Sequence, residues 1–265
     1  MKKRADQLLF DKGLVESREK GKRVIMEGSV YIGSVRVDKP GEKLDEDSDI
    51  VIHKNPLIYV SRGGLKLEKA MKSFNINLED TVAMDIGSST GGFTDCMLQS
   101  GSTKVFAVDV GYGQLDWKLR NDPRVVVMER TNIRHVTHED IGTLVDFISI
   151  DVSFISLKLV LPVAKSLLND NGEIIALIKP QFEAGKGKVG KNGIVREREI
   201  HFDVIKGIVD FSKSIDLMPI NLGFSPITGA KGNIEFLIHL KHIGEDTISE
   251  EKINAVIDEG YLELK

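Results

Sequence analysis

The sequence has few features that would place the protein outside the cytoplasm. It contains one cysteine, Cys96, which can form neither an internal disulfide nor a cysteine-based zinc site. Its longest apolar runs, such as residues 174–178, have four or five residues, whereas a membrane helix needs about 20. The first residues are basic, but no apolar signal core follows them. We therefore expect a soluble cytoplasmic protein.

The charge of the chain is unevenly distributed. The net charge of −4 argues against a generally basic nucleic-acid binder. Residues 244–265 hold seven acidic and two basic residues, whereas residues 1–44 hold eleven Lys or Arg against seven Asp or Glu. Because binding follows the local field rather than the whole-chain sum, the amino-terminal segment is the candidate for contact with an anionic partner.

The residue pattern changes near residue 55 and predicts two domains. The first part predicts helices over residues 4–12 and from Ser17 to just before Gly28, then short strands over 29–32, 34–37 and 49–52. Asn55-Pro56 predicts a linker, because the residue before a proline is pushed out of the helical region. We expect a small α+β domain over residues 1–54, a linker over 55–60, a larger domain over 61–243 and an acidic helical tail over 244–265.

From residue 57 onward, short apolar runs alternate with amphipathic stretches. Seven runs are predicted to be buried strands: 82–86, 105–110, 125–128, 147–150, 174–178, 220–224 and 236–240. This alternation predicts an α/β fold, a Rossmann-like and mostly parallel seven-stranded sheet with helices on both faces.

A glycine-rich turn follows the first predicted strand. Residues 85–92 read D-I-G-S-S-T-G-G, and a helix begins near Gly92. Glycines let the backbone approach a ligand closely and expose the N–H groups of a helix start. The dinucleotide pattern G-x-G-x-x-G is incomplete, because Ser89 stands where the second glycine would be. The next strand ends at Asp109, where a carboxylate can accept both hydroxyls of a ribose.

This turn resembles the S-adenosylmethionine site of Rossmann-like methyltransferases. An ordinary tight turn and a nicotinamide site are the alternatives. Tyr112 and Trp117 either line an adenine pocket or, as we expect, pack structurally, and Cys96 is expected in the core. The resemblance implies cofactor contacts from Asp85, Gly87, Ser88, Ser89, Gly91, Gly92, Phe93, Thr94, Asp109, Val110 and Asp151.

Four charged residues stand where ligands bind in such sheets, outside the carboxyl ends of the strands. Asp151 and Lys179 follow strands, Glu235 begins the last strand, and Lys66 lies near the start of a helix. If the four converge on a ligand hydroxyl, crowding by a second lysine lowers one lysine pKa, and that lysine can act as a general base. The alternative is that these charges are simply solvated.

Two basic segments are candidates for contact with an anionic substrate. Residues 185–192 fit G-x-x-x-x-G-K, but Asn192 replaces the Ser or Thr that would hold magnesium, so we expect a mobile basic or solvated loop rather than a phosphate-hydrolysing site. The second predicted helix carries basic pairs at helical spacing, which contact phosphates or form a solvated face. Neither His-x-x-His pair has a clear third ligand, so no metal site is expected.

Four motifs together resemble those of TlyA-type proteins, which are also called haemolysin A. They are S-R-G-G-L-K-L at 61–67, D-I-G-S-S-T-G-G-F-T-D at 85–95, I-D-V-S-F-I-S-L at 150–157 and L-I-K-P-Q-F-E at 177–183. The segments at 4–9 and 17–20 resemble an S4 RNA-binding domain. The resemblance covers almost the whole chain.

The resemblance implies an S4-like domain and an FtsJ-like, S-adenosylmethionine-dependent methyltransferase that acts on the 2′-hydroxyl of a cytidine in ribosomal RNA. Naked RNA and an assembled subunit remain alternative substrates. The resemblance implies a catalytic tetrad of Lys66, Asp151, Lys179 and Glu235. The basic residues expected at RNA are Arg4, Arg18, Lys20, Lys22, Arg23, Arg62, Lys186 and Lys188. A pore-forming haemolysin and an RNA-binding protein without catalytic activity are the rival functions.

Overall fold

The computed structural model describes residues 2–26, 28–32, 35–37, 39–52, 58–185, 187–190, 193–229 and 232–264. The chain forms two compact units, Met1–Ser61 and Arg62–Lys265. The expected linker signal at Asn55-Pro56 lies outside the described residues. In the part of the chain that is described, no helix combines the length and the apolar character needed to cross a membrane.

The first unit contains two helices and two small antiparallel sheets. Both predicted helices are confirmed, and Ser17 caps the second one by accepting the N–H of Lys20 at 3.1 Å. The elements are β1 (Lys2–Arg4), α1 (Ala5–Asp11), α2 (Arg18–Met26), β2 (Val30–Ile32), β3 (Val35–Arg36), β4 (Lys43–Asp45) and β5 (Ile50–Ile52). One sheet pairs β1 with β4, which the sequence pattern did not predict, and the other has the order β3-β2-β5.

A small apolar core holds this unit together. Leu8 and Leu9 of α1, Ile25 of α2 and Val30 of β2 are fully buried within it. The two helices approach closely at Gly21, where a Cβ would stand 3.0 Å from the carbonyl oxygen of Asp6. A core of this size is sufficient for a small domain, although such domains are only marginally stable.

The second unit alternates strands and helices. Its elements are α3 (Gly63–Phe74), β6 (Val82–Ile86), α4 (Gly92–Gln99), β7 (Lys104–Val108), α5 (Trp117–Arg120), β8 (Val125–Met128), α6 (His138–Ile141), β9 (Val145–Ile150), α7 (Leu161–Leu167), β10 (Leu168–Ile178), α8 (Pro180–Glu183), α9 (Arg198–Ser214), β11 (Met218–Phe224), β12 (Phe236–Lys241) and α10 (Glu250–Leu264). Single 3₁₀ turns cover Ile133–His135 and Leu157–Leu159.

The seven predicted strands form one sheet, which confirms the expected α/β fold. The strand order is β11-β12-β10-β9-β6-β7-β8. The five strands β6 to β10 run parallel, and β12 runs antiparallel to both β10 and β11. Parallel strands end at one edge of a sheet, and an antiparallel strand begins there. The register pairs Ile178 with Phe236 and Ile86 with Ile150, so the residues that flank these positions meet at a single edge.

The acidic carboxyl-terminal segment is a packed part of the second unit. Its helix α10 buries Ile253, Val256 and Ile257 in the same apolar core as the sheet. On its outer side, Arg198 of α9 pairs with Asp258 at 2.8 Å. Burial of three aliphatic side chains contributes about 1.5–3 kcal/mol each, so this helix stabilises the unit to which it belongs.

Candidate active site

The four charged residues singled out in the sequence lie together at one edge of the sheet. The Lys66 Nζ lies 2.6 Å from the Glu235 Oε2 and 3.7 Å from the Asp151 Oδ2. The Lys179 Nζ lies 2.5 Å from the Asp151 Oδ1 and donates to the Ser153 Oγ at 3.3 Å. Asp151 is thus shared by both lysines. The alternative of four separately solvated charges does not describe this structure.

Burial and charge pairing act against each other within this cluster. Burial lowers the pKa of Lys66, but the carboxylates of Asp151 and Glu235 outweigh it, so the net pKa lies above the ordinary value. Burial likewise raises the pKa of Asp151, yet the charges of Lys66 and Lys179 bring the net pKa below its usual value. Crowding by a second lysine therefore does not bring the pKa of Lys66 below its ordinary value.

The carboxylate of Glu235 is enclosed by residues that the sequence did not identify. The Gln181 Nε2 donates to the Glu235 Oε1 at 3.3 Å. Gly229 lies against the same carboxylate, since a Cβ at this position would stand 2.0 Å from the Oε1. Gln181 belongs to the L-I-K-P-Q-F-E motif, which gave it no role of its own, and Gly229 belongs to none of the motifs. Their contacts with Glu235 join segments that no local pattern connects.

The glycine turn after β6 is shaped by two close approaches. Gly87 has a φ of +86°, and a Cβ there would stand 2.6 Å from the carbonyl oxygen of Asp151. Gly91 has a φ of +92°, and a Cβ there would clash with the side chains of Leu115 and Leu119. Glycine adopts the left-handed conformation without strain and has no Cβ that would clash with the neighbouring atoms. The turn therefore depends on Gly87 and Gly91 for its shape.

Several residues expected to contact a cofactor also hold this turn from inside. The side chain of Asp85 is fully buried, and its Oδ2 accepts the Thr94 N–H at 2.9 Å and the Thr94 Oγ1 at 2.7 Å. The Ser149 Oγ donates to the Asp85 Oδ1 at 3.2 Å. Burial raises the pKa of Asp85 to about 7 against these hydrogen bonds. Gly92, Phe93 and Thr94 are buried as well, and the assignment of these four residues as cofactor contacts stays a prediction.

The accessible part of the turn is tied to the end of β7. The Asp109 carboxylate accepts the Ser89 N–H at 2.8 Å and the Gly111 N–H at 2.7 Å, which joins the glycine turn to the following loop. The turn also presents Ser89 on the surface, whereas Ser88 is buried. Asp109 is half-buried at the strand end, as the sequence predicts, so its carboxylate borders the accessible part of the turn.

Apolar side chains beside Asp109 are exposed. Tyr112 is 68% exposed and Trp117 is 75% exposed, so the expectation that both pack structurally is wrong. Val110 is exposed as well, and the Arg130 guanidinium lies 4.1 Å from the centre of the Tyr112 ring. Cys96, in contrast, is buried as expected. An exposed aromatic and aliphatic surface beside a strand-end carboxylate is suited to a planar ligand group.

An exposed aromatic pair lies beside Lys179 and was not predicted. Phe154 is 90% exposed and has a φ of +64°, a conformation unusual for a bulky residue. Its ring packs on Phe182 with a centroid distance of 4.9 Å, and the Lys179 Nζ lies 5.9 Å from the Phe182 ring centre. The motif I-D-V-S-F contains Phe154, but only the loop conformation shows that its ring points into solvent.

The residues expected to bind RNA are distributed over both units. In the first unit, Arg4 and Arg18 both pair with the buried carboxylate of Asp6, at 3.0 and 3.4 Å. Lys22 pairs with Glu19 at 2.6 Å, and Lys20 is exposed. The remaining members of the set are Arg23 in the first unit, Arg62 and Lys188 in the second, and Lys186, which lies outside the described residues.

Two families account for almost the whole chain. The model of the FtsJ-like methyltransferase family matches residues 59–242, and the model of the S4 domain matches residues 3–51. The expected combination of an S4 domain with an FtsJ-like methyltransferase domain is therefore confirmed.

Similar proteins match over nearly their full length. YqxC of Bacillus subtilis is 54% identical and covers 100% of this chain and 96% of its own. The 16S/23S rRNA (cytidine-2′-O)-methyltransferase TlyA of Mycobacterium tuberculosis is 37% identical, over 97% of this chain and 98% of its own. A solved structure from Streptococcus thermophilus, which bears the name hemolysin, is 48% identical in sequence and has a TM-score of 0.79. The match covers 99% of this chain and 96% of the Streptococcus thermophilus chain.

Proposed function

The chain belongs to the TlyA family of S4-containing, FtsJ-like methyltransferases, and on that premise we propose that it methylates the 2′-hydroxyl of a cytidine in ribosomal RNA. Its FtsJ-like domain and its TlyA relatives make it a 2′-O-methyltransferase. Cytidine and ribosomal RNA enter the proposal from the name of the Mycobacterium tuberculosis relative. The cluster of Lys66, Asp151, Lys179 and Glu235 is the observation that carries the proposed chemistry.

S-adenosylmethionine is the cofactor that fits the surface around the glycine turn. The carboxylate of Asp109 would accept the ribose hydroxyls, and the exposed rings of Tyr112 and Trp117 would contact the adenine. Gly87 keeps the backbone free of a side chain where the turn meets Asp151. When bound there, the cofactor supplies a methyl group that is already activated. The protein must then supply alignment and a competent nucleophile.

Lys179 is the residue that we assign as the general base. A ribose hydroxyl is a weak nucleophile until its proton is being removed. The carboxylates of Asp151 and Glu235 raise the pKa of Lys66 against its burial, which favours its charged form and makes it the less suitable proton acceptor. Lys179 is the other amine of the cluster, and its Nζ is aligned by Asp151 and Ser153. In the proposed reaction the Lys179 Nζ would take the proton of the 2′-hydroxyl while the hydroxyl oxygen bonds to the methyl carbon, whose bond to the sulfur of the cofactor breaks.

The aromatic pair beside Lys179 supports an RNA substrate. An enzyme that acts on a single nucleotide takes it out of the base stack and stacks its base on aromatic or apolar side chains. Phe154 offers an exposed ring for such a contact and is supported from below by Phe182. The S4 domain adds arginines whose positions are fixed by Asp6, and phosphate contacts of this kind give affinity rather than sequence choice.

The proposal is tested by replacing Lys179. Lys179→Ala should lower the single-turnover rate of methyl transfer to ribosomal RNA by roughly 10³-fold, because both proton transfer and alignment are lost. Lys179→Arg should be almost as inactive, since arginine does not deprotonate in proteins. Cofactor affinity, measured by calorimetry, and RNA affinity should both be preserved.

Lys165→Ala is the matched control. Lys165 pairs with Asp216 at 3.3 Å and lies on α7, outside the cluster, so its loss should leave the rate unchanged. Retention of more than about a tenth of the rate by Lys179→Ala would show that Lys179 is not the general base.

A further inference from the structure

The buried side chain of Asn233 connects two segments that are 38 residues apart in the chain. Asn233 is 2% exposed, and its Oδ1 accepts the Val195 N–H at 3.0 Å. Its Nδ2 donates to the carbonyl oxygen of Gly193 at 2.9 Å. An amide that pairs in this way with both a donor and an acceptor of another segment fixes that segment in two directions. Neither bond belongs to a strand ladder or a helix.

One of these segments leads directly to Glu235. Residues 225–229 pair with residues 232–235, since the Gly229 N–H donates to the Asn233 carbonyl oxygen at 2.8 Å and the Ser225 N–H donates to the Glu235 carbonyl oxygen at 2.8 Å. Gly229 lies against the Glu235 carboxylate, which leaves that carboxylate no space to move toward the turn. The position of Glu235 therefore depends on how residues 229 and 233 are held.

The other segment follows the basic residue Lys188. The Gly190 N–H donates to the Ile194 carbonyl oxygen at 3.0 Å, which ties the described residues 187–190 to residues 193–195. Val195 is buried in the core, and the Tyr261 hydroxyl donates to the carbonyl oxygen of Arg196 at 2.8 Å. Residues 193–196 are thus anchored on two sides, by Asn233 and by the carboxyl-terminal helix α10.

We propose that Asn233 is a positioning residue for Glu235. Its amide joins residues 193–195 to the segment that encloses the Glu235 carboxylate. The segment that follows Lys188 and the segment that contains Glu235 are therefore fixed relative to each other. The functional part of this inference rests on the proposed methyltransferase reaction, in which Glu235 holds Lys66.

The test compares Asn233→Ala with Asn254→Ala. Asn254 makes the same pair of bonds elsewhere, since its Oδ1 accepts from Arg198 at 2.8 Å and its Nδ2 donates to the Glu250 carbonyl oxygen at 2.9 Å. Asn233→Asp is the second variant if the alanine variant does not fold, because it keeps an acceptor for the Val195 N–H and loses the amide donor. Hydrogen exchange and single-turnover methyl transfer are measured for each folded variant.

Asn233→Ala should accelerate exchange in residues 193–195 together with residues 225–229 and 232–235. The methyl-transfer rate should fall by about 10- to 100-fold, the range expected when a reactive group is misplaced by up to 1 Å. Affinities for S-adenosylmethionine and for RNA should be unchanged, and Asn254→Ala should match the unsubstituted protein in both rate and exchange at these segments.

Two results would overturn the inference. Faster exchange confined to residues 193–195, with the rate preserved, would mean that Asn233 holds only that segment. An equal loss of rate in Asn254→Ala would mean that any loosening of the fold has the same effect. If the unsubstituted protein transferred no methyl group to ribosomal RNA, the proposed function would fail, whereas hydrogen exchange would still decide whether Asn233 links the two segments.

Discussion

Replacement of Gly87 by alanine tests the close approach on which the candidate site is built. A Cβ at residue 87 would stand 2.6 Å from the carbonyl oxygen of Asp151, whereas ordinary contact begins near 3.4 Å. The obstructing atom belongs to the backbone, so it cannot rotate away as a side chain would. The Asp151 N–H also donates to the carbonyl oxygen of Ile86 at 2.9 Å, so the peptide that precedes Asp151 is held as well.

The expected loss of stability has two parts. A left-handed conformation costs about 1–2 kcal/mol for a residue with a Cβ. Forcing additional atoms into a packed site costs typically 1–3 kcal/mol more. Gly87→Ala should therefore lower the free energy of unfolding by about 2–5 kcal/mol, less than the stability of a typical domain. The variant should remain folded in the absence of denaturant.

Gly142 provides a control that isolates the steric part. It has a φ of +71°, and a Cβ there would meet nothing within 4 Å. Gly142→Ala should therefore lose only the conformational part, about 1–2 kcal/mol. Urea denaturation of the two variants measures the difference, and single-turnover methyl transfer measures the effect on the site. The Gly87 variant should be about 100-fold slower, because displacement of the Asp151 peptide moves the carboxylate that pairs with Lys179.

An equal loss of unfolding free energy in the two variants would show that the Asp151 carbonyl moves away from the added Cβ without destabilising the fold. A normal rate in Gly87→Ala, in a folded protein, would show that the position of Asp151 is not set by this contact. Either result would refute the link between the shape of the turn and the geometry of the cluster.

Four further predictions concern the binding of cofactor or RNA. Asp109→Ala should weaken S-adenosylmethionine binding by about 1.5–3 kcal/mol in calorimetry without unfolding the domain, and unchanged affinity would remove Asp109 from the site. Phe154→Ala should leave stability unchanged, because the ring is exposed, but should weaken productive RNA binding by about 1–3 kcal/mol. Phe154→Trp should retain activity. Equal rates for Phe154→Ala and Phe154→Trp would exclude stacking of a base on this ring. Removal of residues 1–54 should preserve cofactor binding but impair RNA methylation, and full activity of the truncated protein would contradict a role for the S4 domain. RNA affinity of the full chain should fall steeply with salt.

The cluster was predictable because its members occupy equivalent places in a regular architecture. Asp151 and Lys179 follow parallel strands, and Glu235 precedes a strand that runs the opposite way, so one edge of the sheet collects all three. Apolar runs located the strands to within a few residues. The apolar pattern could not reveal β1 and β4, because each has three residues and exposes alternate side chains.

The features that escaped prediction depend on contacts between irregular segments. Asn233 accepts a hydrogen bond from Val195, 38 positions earlier in the chain, and no local sequence pattern predicts such a pairing. The exposure of Phe154 follows from a positive φ in a loop, where an aromatic residue is expected to pack instead. For Asp85 the sequence marks the position but not the hydrogen-bond partners. The three donors from Thr94 and Ser149 meet its carboxylate only in the folded turn.

The energetics of the cluster favour a functional rather than a stabilising role. Removing charges from water costs several kcal/mol per ion, and pairing in the interior compensates for that cost only when the geometry is excellent. Here Lys66, Lys179 and Glu235 are almost fully buried, and Asp151 divides its two oxygens between both lysines. Apolar residues that replace a buried ion pair are often as stabilising as the pair or more so. The core of this sheet is otherwise apolar, and the opposing charges keep two amines and two carboxylates aligned where we propose that a hydroxyl loses its proton.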